Sequence, residues 1–405
     1  MTSSTLSRGA AAWALLSLAV GSFGIGMTEF VVMGLLPDIA QDLLPSLWAS
    51  DSEAAIAQGG WLISLYALGV VVGAPTIAAV VAKYPRHHVM LGLAVALTVF
   101  NALTFLLPSF GLVAASRFLA GLPHGAYFGI GALVAADVLG PGKRAKGVAF
   151  VLTGLTIANV VGVPLGTFLG QQVGWRAAFM VVAAIFALAA ICIGFFVPAH
   201  GGDRARTFRA ELGVFRIGQV WLTLAVGAIG FGGFFAVYSY VAPMITEVAG
   251  SPAWVVPIVL IVMGLGMTAG NLVGGVVADI DLKRTMLGGF VALAIVQSAL
   301  ALSAQTLWAL AVFVFATGFI SSCLSPAIQT RLMDVADDNQ SIAAALNHSS
   351  LNIGNSLGAF LGGIVIAAGF GYLSPAFVGV GLAALGFVVL SISFAIDRRR
   401  RAQTR

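Results

Sequence analysis

Charged side chains are scarce in this chain of 405 residues. Asp, Glu, Lys and Arg together occupy 9% of the positions, whereas a soluble globular domain carries about 25%. A chain with so few charges was not built to face water on all sides, which argues against a soluble protein. Cysteine is equally rare, and both Cys192 and Cys323 lie inside apolar stretches. They indicate neither a disulfide framework nor a metal site, because each would need clustered residues.

Patterns for enzymatic or nucleotide-driven chemistry are also missing. The chain has no G-x-x-x-x-G-K loop to bind nucleotide phosphates, so ATP is not expected to drive the protein directly. One G-x-S-x-G match has Ser356 at its centre, but it lies inside an apolar stretch rather than between a strand and a helix. We therefore expect no enzyme, no cofactor and no metal. An intramembrane hydrolase is kept as a remote alternative.

Apolar residues are abundant instead, at 60% of the chain, and they come in long runs. A helix needs about 20 apolar residues to cross a bilayer, and polar breaks divide this chain into twelve runs of roughly that size. The sequence therefore predicts an all-α membrane protein with twelve transmembrane helices. The predicted spans are residues 11–36, 56–82, 88–107, 110–136, 145–170, 175–197, 218–246, 254–279, 285–304, 306–333, 341–369 and 372–396.

The basic residues give these helices an orientation. Lys and Arg favour cytoplasmic loops. Of the 20 basic residues, 18 fall on one side of the predicted membrane, including Arg8 before the first span and Arg398–Arg401 after the last. Both termini are therefore predicted to be cytoplasmic. The net charge of +5 follows from this bias of the loops, so no nucleic-acid partner is expected.

The chain also contains an internal repeat. The segment Leu155–Gly162 (LTIANVVG) reappears 196 residues later as Leu351–Gly358 (LNIGNSLG). Two parallel repeats of six helices are therefore predicted. Their expected boundaries are an N-terminal bundle at 1–197, a cytoplasmic linker at 198–217 and a C-terminal bundle with a basic tail at 218–405.

Glycines four residues apart mark equivalent helices of the two repeats. Such ladders let helices approach closely within a bilayer. Gly69 and Gly73 recur as Gly266 and Gly270, and similar ladders occupy the fifth and eleventh spans. Static packing explains any single glycine, but the symmetric placement favours a surface along which the two bundles slide or rock.

Four segments carry a resemblance to a known family: Gly26–Ile39, Tyr66–Pro75, Arg117–Phe128 and Asn159–Gly166. They resemble the major facilitator superfamily, and the likeness extends over essentially the whole chain. Within it, the chain is similar to the drug/proton antiporter group of twelve helices, and there to the arabinose efflux permease (AraJ-like) branch. The resemblance implies a multi-pass monomer of the bacterial plasma or inner membrane.

The same resemblance implies proton-coupled export of small organic molecules, drug-like or sugar-like, by alternating access. The expected partners are a small-molecule substrate, protons and the lipid bilayer. Export rather than uptake rests on the resemblance, chiefly on the glycine/proline pattern of Asn159–Gly166. A proton-coupled importer or a facilitator of a small metabolite is the alternative.

The resemblance also implies residues for gating. The family's loop between the second and third helices has an acid where this chain has Ala82, whereas the second half keeps Asp279. We therefore expect Asp279 to take more of the latch role. The further gating and motif residues are Gly73, Lys83, Arg86, Gly162, Pro164, Gly166, Gly270, Lys283 and Arg284.

Two charges lie clearly inside predicted spans, Glu29 and Arg117. A charge at mid-membrane costs about 2.5–3.5 kcal/mol on insertion scales, and such residues are usually functional. Both are predicted at a similar depth in the membrane, where Glu29 would gain and lose a proton near Arg117. The alternatives are a permanent structural ion pair and a Glu29 side chain that reaches the outer interface. His124 shares a helix face with Arg117 and is a candidate proton relay, or equally a packed histidine.

Aromatic and amide side chains inside several of the spans are candidates for substrate binding. A mostly apolar ligand with few polar groups suits such a wall. We predict it between the first, fourth, seventh and tenth helices, although each aromatic ring taken alone is compatible with core packing. The candidates are Tyr66, Tyr127, Phe128, Phe234, Tyr238, Asn347 and Asn352.

The orientation is directly testable. A green fluorescent protein fused after Arg405 should fluoresce in cells, and an alkaline phosphatase fused at the same place should be inactive, because phosphatase folds only outside the cytoplasm. A fusion in the predicted outer loop near Trp48 serves as the opposite control. Phosphatase activity at the C-terminus would contradict the predicted topology.

Overall fold

The structure is a computed structural model that describes residues 7–81, 84–140, 144–198, 212–336 and 340–403. Within these ranges the regular structure is helical throughout, without strands. Lys83 and most of the predicted linker, residues 199–211, lie outside the described residues. The prediction of an all-α protein is therefore confirmed for the part of the chain that the structure describes.

Twelve of the described helices are long and apolar enough to cross a membrane, as predicted. Their ends agree closely with the predicted ones, except on the seventh. They are α1 Gly9–Gly34, α2 Ser52–Ile77, α3 Arg86–Leu106, α4 Phe110–Leu139, α5 Lys146–Val173, α6 Trp175–Phe196, α7 Gly218–Tyr238, α8 Val255–Ile280, α9 Leu282–Ser303, α10 Leu307–Val335, α11 Leu346–Phe370 and α12 Ser374–Arg399. Two short helices, Leu36–Leu43 and Pro45–Ser50, lie between α1 and α2.

The seventh span is shorter than predicted because the chain breaks after Ser239. Tyr240 leaves the helical region, with φ −118° and ψ 20°. Pro243 explains the break, since it has no N–H to bond the carbonyl of Ser239 and its ring would collide with that group. The chain continues as a short helical turn and then as a π-helical turn, Met244–Val248.

Contacts group the helices into two compact units. The first comprises Met1–Asp38 and Leu65–Phe208, and the second comprises Ile39–Ser64 and Arg209–Arg405. The sequence did not anticipate that residues 39–64 pack with the second unit. Within that unit, the Ser64 hydroxyl donates to the carbonyl of Ser356 at 3.2 Å, and Trp61 packs edge-on against Phe360.

The glycine ladders pack helices together inside each unit. A Cβ on Gly69 or Gly73 of α2 would strike backbone carbonyls of α4, and one on Gly266 or Gly270 of α8 would strike those of α10. In the α5 ladder, Gly162 and Gly166 face side chains of α1, and in the α11 ladder Gly354 and Gly358 face the backbone of α7. These contacts all lie within one unit, and a surface along which the two bundles slide or rock stays a prediction. The glycines hold each unit together.

A π-helical turn in α5 distinguishes the two repeats. Residues Ala158–Gly162 form this turn, in which the N–H of Val163 bonds the carbonyl of Ala158. The wider turn precedes Pro164, whose ring would otherwise crowd the carbonyl four residues earlier. The equivalent part of α11 has Phe360 in place of the proline and is regular α-helix.

The packing role of the ladder predicts a contrast between two glycines of α8. Gly270→Ala should lower stability by about 1–3 kcal/mol, because its new methyl group would meet the backbone of Phe319. Gly275→Ala should be neutral or slightly stabilising, because nothing lies within 4 Å of its Cβ position. Retention of a monodisperse chromatography peak after heating measures the difference. Equal melting of both variants would contradict the assigned packing.

Candidate functional site

A cluster of buried polar side chains lies inside the first unit. Its members come from three helices: Glu29 from α1, Tyr66 from α2, and Arg117 and His124 from α4. All four are buried, and Arg117 is 0% exposed. Ionisable groups at this depth are rare in membrane helices and usually mark a functional site. We refer to these four residues as the polar cluster.

Arg117 ties α1, α3 and α4 together. Its two terminal nitrogens donate to the hydroxyl and to the carbonyl of Thr28, both at 2.7 Å. The same hydroxyl donates to the Asn101 side-chain oxygen at 2.5 Å, and the Asn101 amide donates to the carbonyl of Leu97 at 2.8 Å. The sequence did not single out Thr28 or Asn101 as partners, although each is a polar residue inside an apolar span.

Aromatic rings enclose the guanidinium. Its carbon lies 4.1 Å from the ring centre of Tyr66 and 5.3 Å from that of Phe179 in α6. A cation over an aromatic face in a desolvated site gains about 2 kcal/mol. The charge of Arg117 is therefore compensated by hydrogen-bond acceptors and by two ring faces.

Tyr66 also links Arg117 to His124. Its hydroxyl lies 3.0 Å from Nδ1 of His124, and either atom can donate, depending on the tautomer of the ring. His124 packs edge-on against Phe128. Arg117 and His124 are seven residues apart on α4, and both contact Tyr66, as expected for residues on one helix face.

Glu29 lies next to Thr28, which binds Arg117. It interacts electrostatically with both Arg117 and Tyr66. The structure thus brings Glu29, Arg117 and His124 into one cluster, and the predicted neighbourhood of the two charges is present. Their part in proton coupling stays a prediction.

The predicted aromatic wall is not accessible in this structure. Tyr127 is fully buried, and its hydroxyl donates to the carbonyl of Leu18 at 3.1 Å. Phe234 and Tyr238 pack against one another on α7, and Phe128 packs against Tyr127. Tyr127 and Phe128 belong to the hydrophobic core of the first unit. The part of these four rings in substrate binding stays a prediction.

Two amides of α11 keep their candidate role. Asn347 and Asn352 are buried, and the Asn352 amide donates to the carbonyl of His348 at 3.0 Å. The side-chain oxygen of each has no hydrogen-bond partner among the described residues. A buried acceptor of this kind is normally satisfied by water or a ligand. Substrate contact by these amides remains a prediction.

The described gating residues form ion pairs that the sequence analysis did not specify. Arg86 forms an ion pair with Asp137 at 2.5 Å, which joins the start of α3 to the end of α4. In the second half Asp281 caps α9: it accepts from the N–H of Arg284 at 2.9 Å and pairs with its side chain at 3.2 Å. Asp279 is exposed. Arg284 is therefore held by Asp281, which occupies the helix N-cap. The latch role of Asp279 stays a prediction.

A second buried charge was missed by the sequence analysis, which placed Arg331 among the loop residues. Arg331 of α10 is 6% exposed and pairs with Asp397 of α12. Gln219 of α7 and Ser393 of α12 complete the group, with Ser393 donating to Gln219 at 2.6 Å. The sequence offered one sign of this ion pair, because Asp397 is an acidic residue beside a run of arginines.

The hydrolase motif has no catalytic geometry. Gly354–Gly358 lies within the continuous α-helix Gln340–Val365, so Ser356 does not occupy a strand-to-helix turn. Its carbonyl accepts from Ser64, a packing contact. The motif match belongs to the glycine ladder of α11.

In the part of the chain that the structure describes, twelve apolar helices define a polytopic membrane protein, and comparison with known proteins identifies its family. The sequence pattern of the Major Facilitator Superfamily matches residues 18–280 and 255–405. The chain therefore belongs to the major facilitator superfamily. It is a secondary transporter of small molecules and a multi-pass protein of the bacterial inner membrane, and it is not an enzyme.

Individual relatives cover nearly the whole chain. The inner membrane transport protein YdhP of Escherichia coli (strain K12) is 34% identical over 94% of this chain and 95% of its own length. The AraJ protein of the same organism is 32% identical over 96% of both chains, which supports the predicted branch. The chloramphenicol resistance protein of Streptomyces lividans is 30% identical over 92% of this chain and 94% of its own.

A solved structure shares the fold. The human organic anion transporter MFSD10 (TETRAN) superposes with a TM-score of 0.67, covering 94% of this chain and 99% of that chain. Its sequence identity is 16%, so the likeness concerns the fold alone.

Thr28 offers a test of the polar cluster. Thr28→Val should lower stability by about 1–3 kcal/mol, because it leaves one Arg117 nitrogen and the Asn101 oxygen without their partner. The matched control is Thr76→Val, since the exposed Thr76 hydroxyl bonds only a carbonyl of its own helix. Thermal melting of both variants in detergent measures the difference, and equal melting would contradict the assigned network.

Proposed function

We propose that this protein exports small organic molecules in exchange for protons, by alternating access. The observation that carries the proposal is the buried pair of opposite charges, Glu29 and Arg117, inside an otherwise apolar unit. A buried carboxylate can take up and release a proton, and its neighbours set the free-energy difference between the two states. We assign the proton to Glu29.

The contacts that Arg117 makes with other residues leave Glu29 suited to carry the proton. Both terminal nitrogens of Arg117 bind Thr28, and its flat faces meet Tyr66 and Phe179. Arg117 therefore keeps these contacts when Glu29 takes up a proton. Protonation of Glu29 would remove one buried charge while Arg117 retained its hydrogen bonds and ring contacts. The fold can therefore accommodate both protonation states of Glu29.

Tyr66 and His124 extend the proposed proton site. The Tyr66 hydroxyl is close to Arg117 on one side and bonds His124 on the other. A hydroxyl can accept one proton while it donates another, and an imidazole titrates near neutral pH. We infer that His124 exchanges protons with the cluster through Tyr66.

The export direction and the substrate class draw on similar proteins. One relative is named for resistance to chloramphenicol, a property that export of a small organic molecule would produce. The π-helical turn before Pro164 lies in the helix that carries the antiporter-like glycine/proline pattern. Both observations favour export of drug-like or sugar-like molecules over uptake.

Everted membrane vesicles provide the test. Respiration acidifies their lumen, and an added substrate, with chloramphenicol as the first compound, should release protons from the lumen if the two are exchanged. Glu29→Gln should abolish this release, because the amide cannot carry a proton. Glu247→Gln is the matched control, since it makes the same change at an exposed carboxylate outside the spans and should leave the release intact.

The other outcomes are equally informative. Substrate-dependent proton release that persists in Glu29→Gln would remove Glu29 from the coupling step. Proton uptake into the lumen together with substrate would indicate an importer running in reverse, and substrate movement without protons would indicate a facilitator. A screen in a host stripped of its own exporters supplies further substrates if chloramphenicol is not transported.

A further inference from the structure

An apolar groove of about 360 Å³ runs along the outside of the second unit, between α8, α9 and α10. Its lining is almost entirely hydrocarbon. Even Thr285 contributes its methyl group, because its hydroxyl is bonded to the carbonyls of Val277 and Asp281, both at 2.8 Å. The lining includes Val277, Gly288, Gly289, Ala292, Phe319 and Cys323.

Two neighbouring glycines create the groove. Gly289 lets α9 approach α10 closely, since a Cβ there would meet the side chain of Leu324. Gly288 is exposed, and nothing lies within 4 Å of its Cβ position. The missing side chain at Gly288 therefore leaves an open channel on the surface of a helix that faces the bilayer.

A cation stands at one end of this groove. Arg284 belongs to its lining, and the Arg284 side chain is 89% exposed. The ion pair with Asp281 uses Nε, so the outer edge of the guanidinium fork remains accessible. A guanidinium binds two phosphate oxygens in parallel, which makes it well matched to a phosphodiester.

The length of the groove along α9 is close to the thickness of the hydrocarbon layer of one leaflet. From Arg284 to Ala292 the helix rises about 12 Å at 1.5 Å per residue, and half of the hydrocarbon core is about 15 Å. Arg284 lies at the end of α9 that carries the basic loops, which the charge bias assigns to the cytoplasm. The cytoplasmic leaflet holds anionic lipids that basic sites between helices attract.

We propose that this groove binds an anionic phospholipid, with an acyl chain beside Gly288 and the phosphate on Arg284. The occupant comes from the bilayer, because the groove opens on the lipid-facing surface and its lining is apolar. The groove lies outside the polar cluster, in the other unit.

The second unit provides its own control groove. A comparable groove of about 320 Å³ lies farther along α8 and α10, beside Trp308 and Val312. Its lining residues are all apolar and include no charge. This second groove should take acyl chains without any preference for their head groups.

Photoreactive lipids in nanodiscs test the site on the full-length protein. Phosphatidylglycerol and phosphatidylcholine probes would carry the same diazirine on an acyl chain, and mass spectrometry would locate the labelled peptides. One basic residue near the surface favours an anionic lipid by about five-fold. We expect that ratio at the Arg284 groove and a ratio near one at the Trp308 groove.

Two variants separate charge from shape. Arg284→Gln should bring the ratio at the Arg284 groove close to one, and Arg284→Lys should keep part of the preference. Gly288→Leu should reduce labelling of this groove by both probes, since nothing lies within 4 Å of the Cβ position and the leucine side chain would occupy the channel. Equal labelling by both probes in the unaltered protein, or a preference that survives Arg284→Gln, would overturn the proposal.

Discussion

A guanidinium with no exposed surface, placed inside a bundle of apolar helices, sets the conditions for the rest of the first unit. Arg117 cannot shed its proton at accessible pH, so the surrounding helices must supply acceptors and polarizable faces. Thr28, Tyr66 and Phe179 do so from three different helices, and Asn101 of a fourth helix accepts from the Thr28 hydroxyl. Tyr66 and Arg117 belong to α2 and α4, which also approach each other closely at Gly69 and Gly73. The position of Glu29, beside Thr28, follows from this arrangement.

The second unit repeats a polar contact of the first unit but has no counterparts of Glu29 and Arg117. The residue 196 positions after Asn101 is Gln297, also fully buried, and its amide donates to the carbonyl of Gly233 on α7 at 2.7 Å. A polar anchor between the third and first helices of each repeat is therefore retained. No counterpart of Arg117 or Glu29 accompanies it, since Phe313 occupies the position 196 residues after Arg117. The buried charge of the second unit, Arg331, lies instead at the basic end of α10 with Asp397.

Close backbone packing makes each unit a candidate rigid body. Where glycines meet carbonyl groups of a neighbouring helix, as on α8 and α10, the two helices have no side chains between them that could rearrange. Irregular backbone occurs in the π-helical turn of α5, in the π-helical turn Val226–Gly230 of α7 and in the break of α7 at Tyr240. Turns of this kind are frequent at functional sites, because they change the direction of side chains without unfolding the helix.

The sequence by itself determined the class of protein, the twelve spans, the repeat and the family. It could do so because hydropathy, loop charge and motif spacing are properties of neighbouring residues. It also identified Glu29 and Arg117, since a charge inside an apolar run is visible without coordinates. The tertiary structure decided which helices the glycines bring together and that Arg331 is buried against Asp397. These facts depend on which face of each helix meets which neighbour, and a rotation of one helix would change them while leaving every sequence pattern intact.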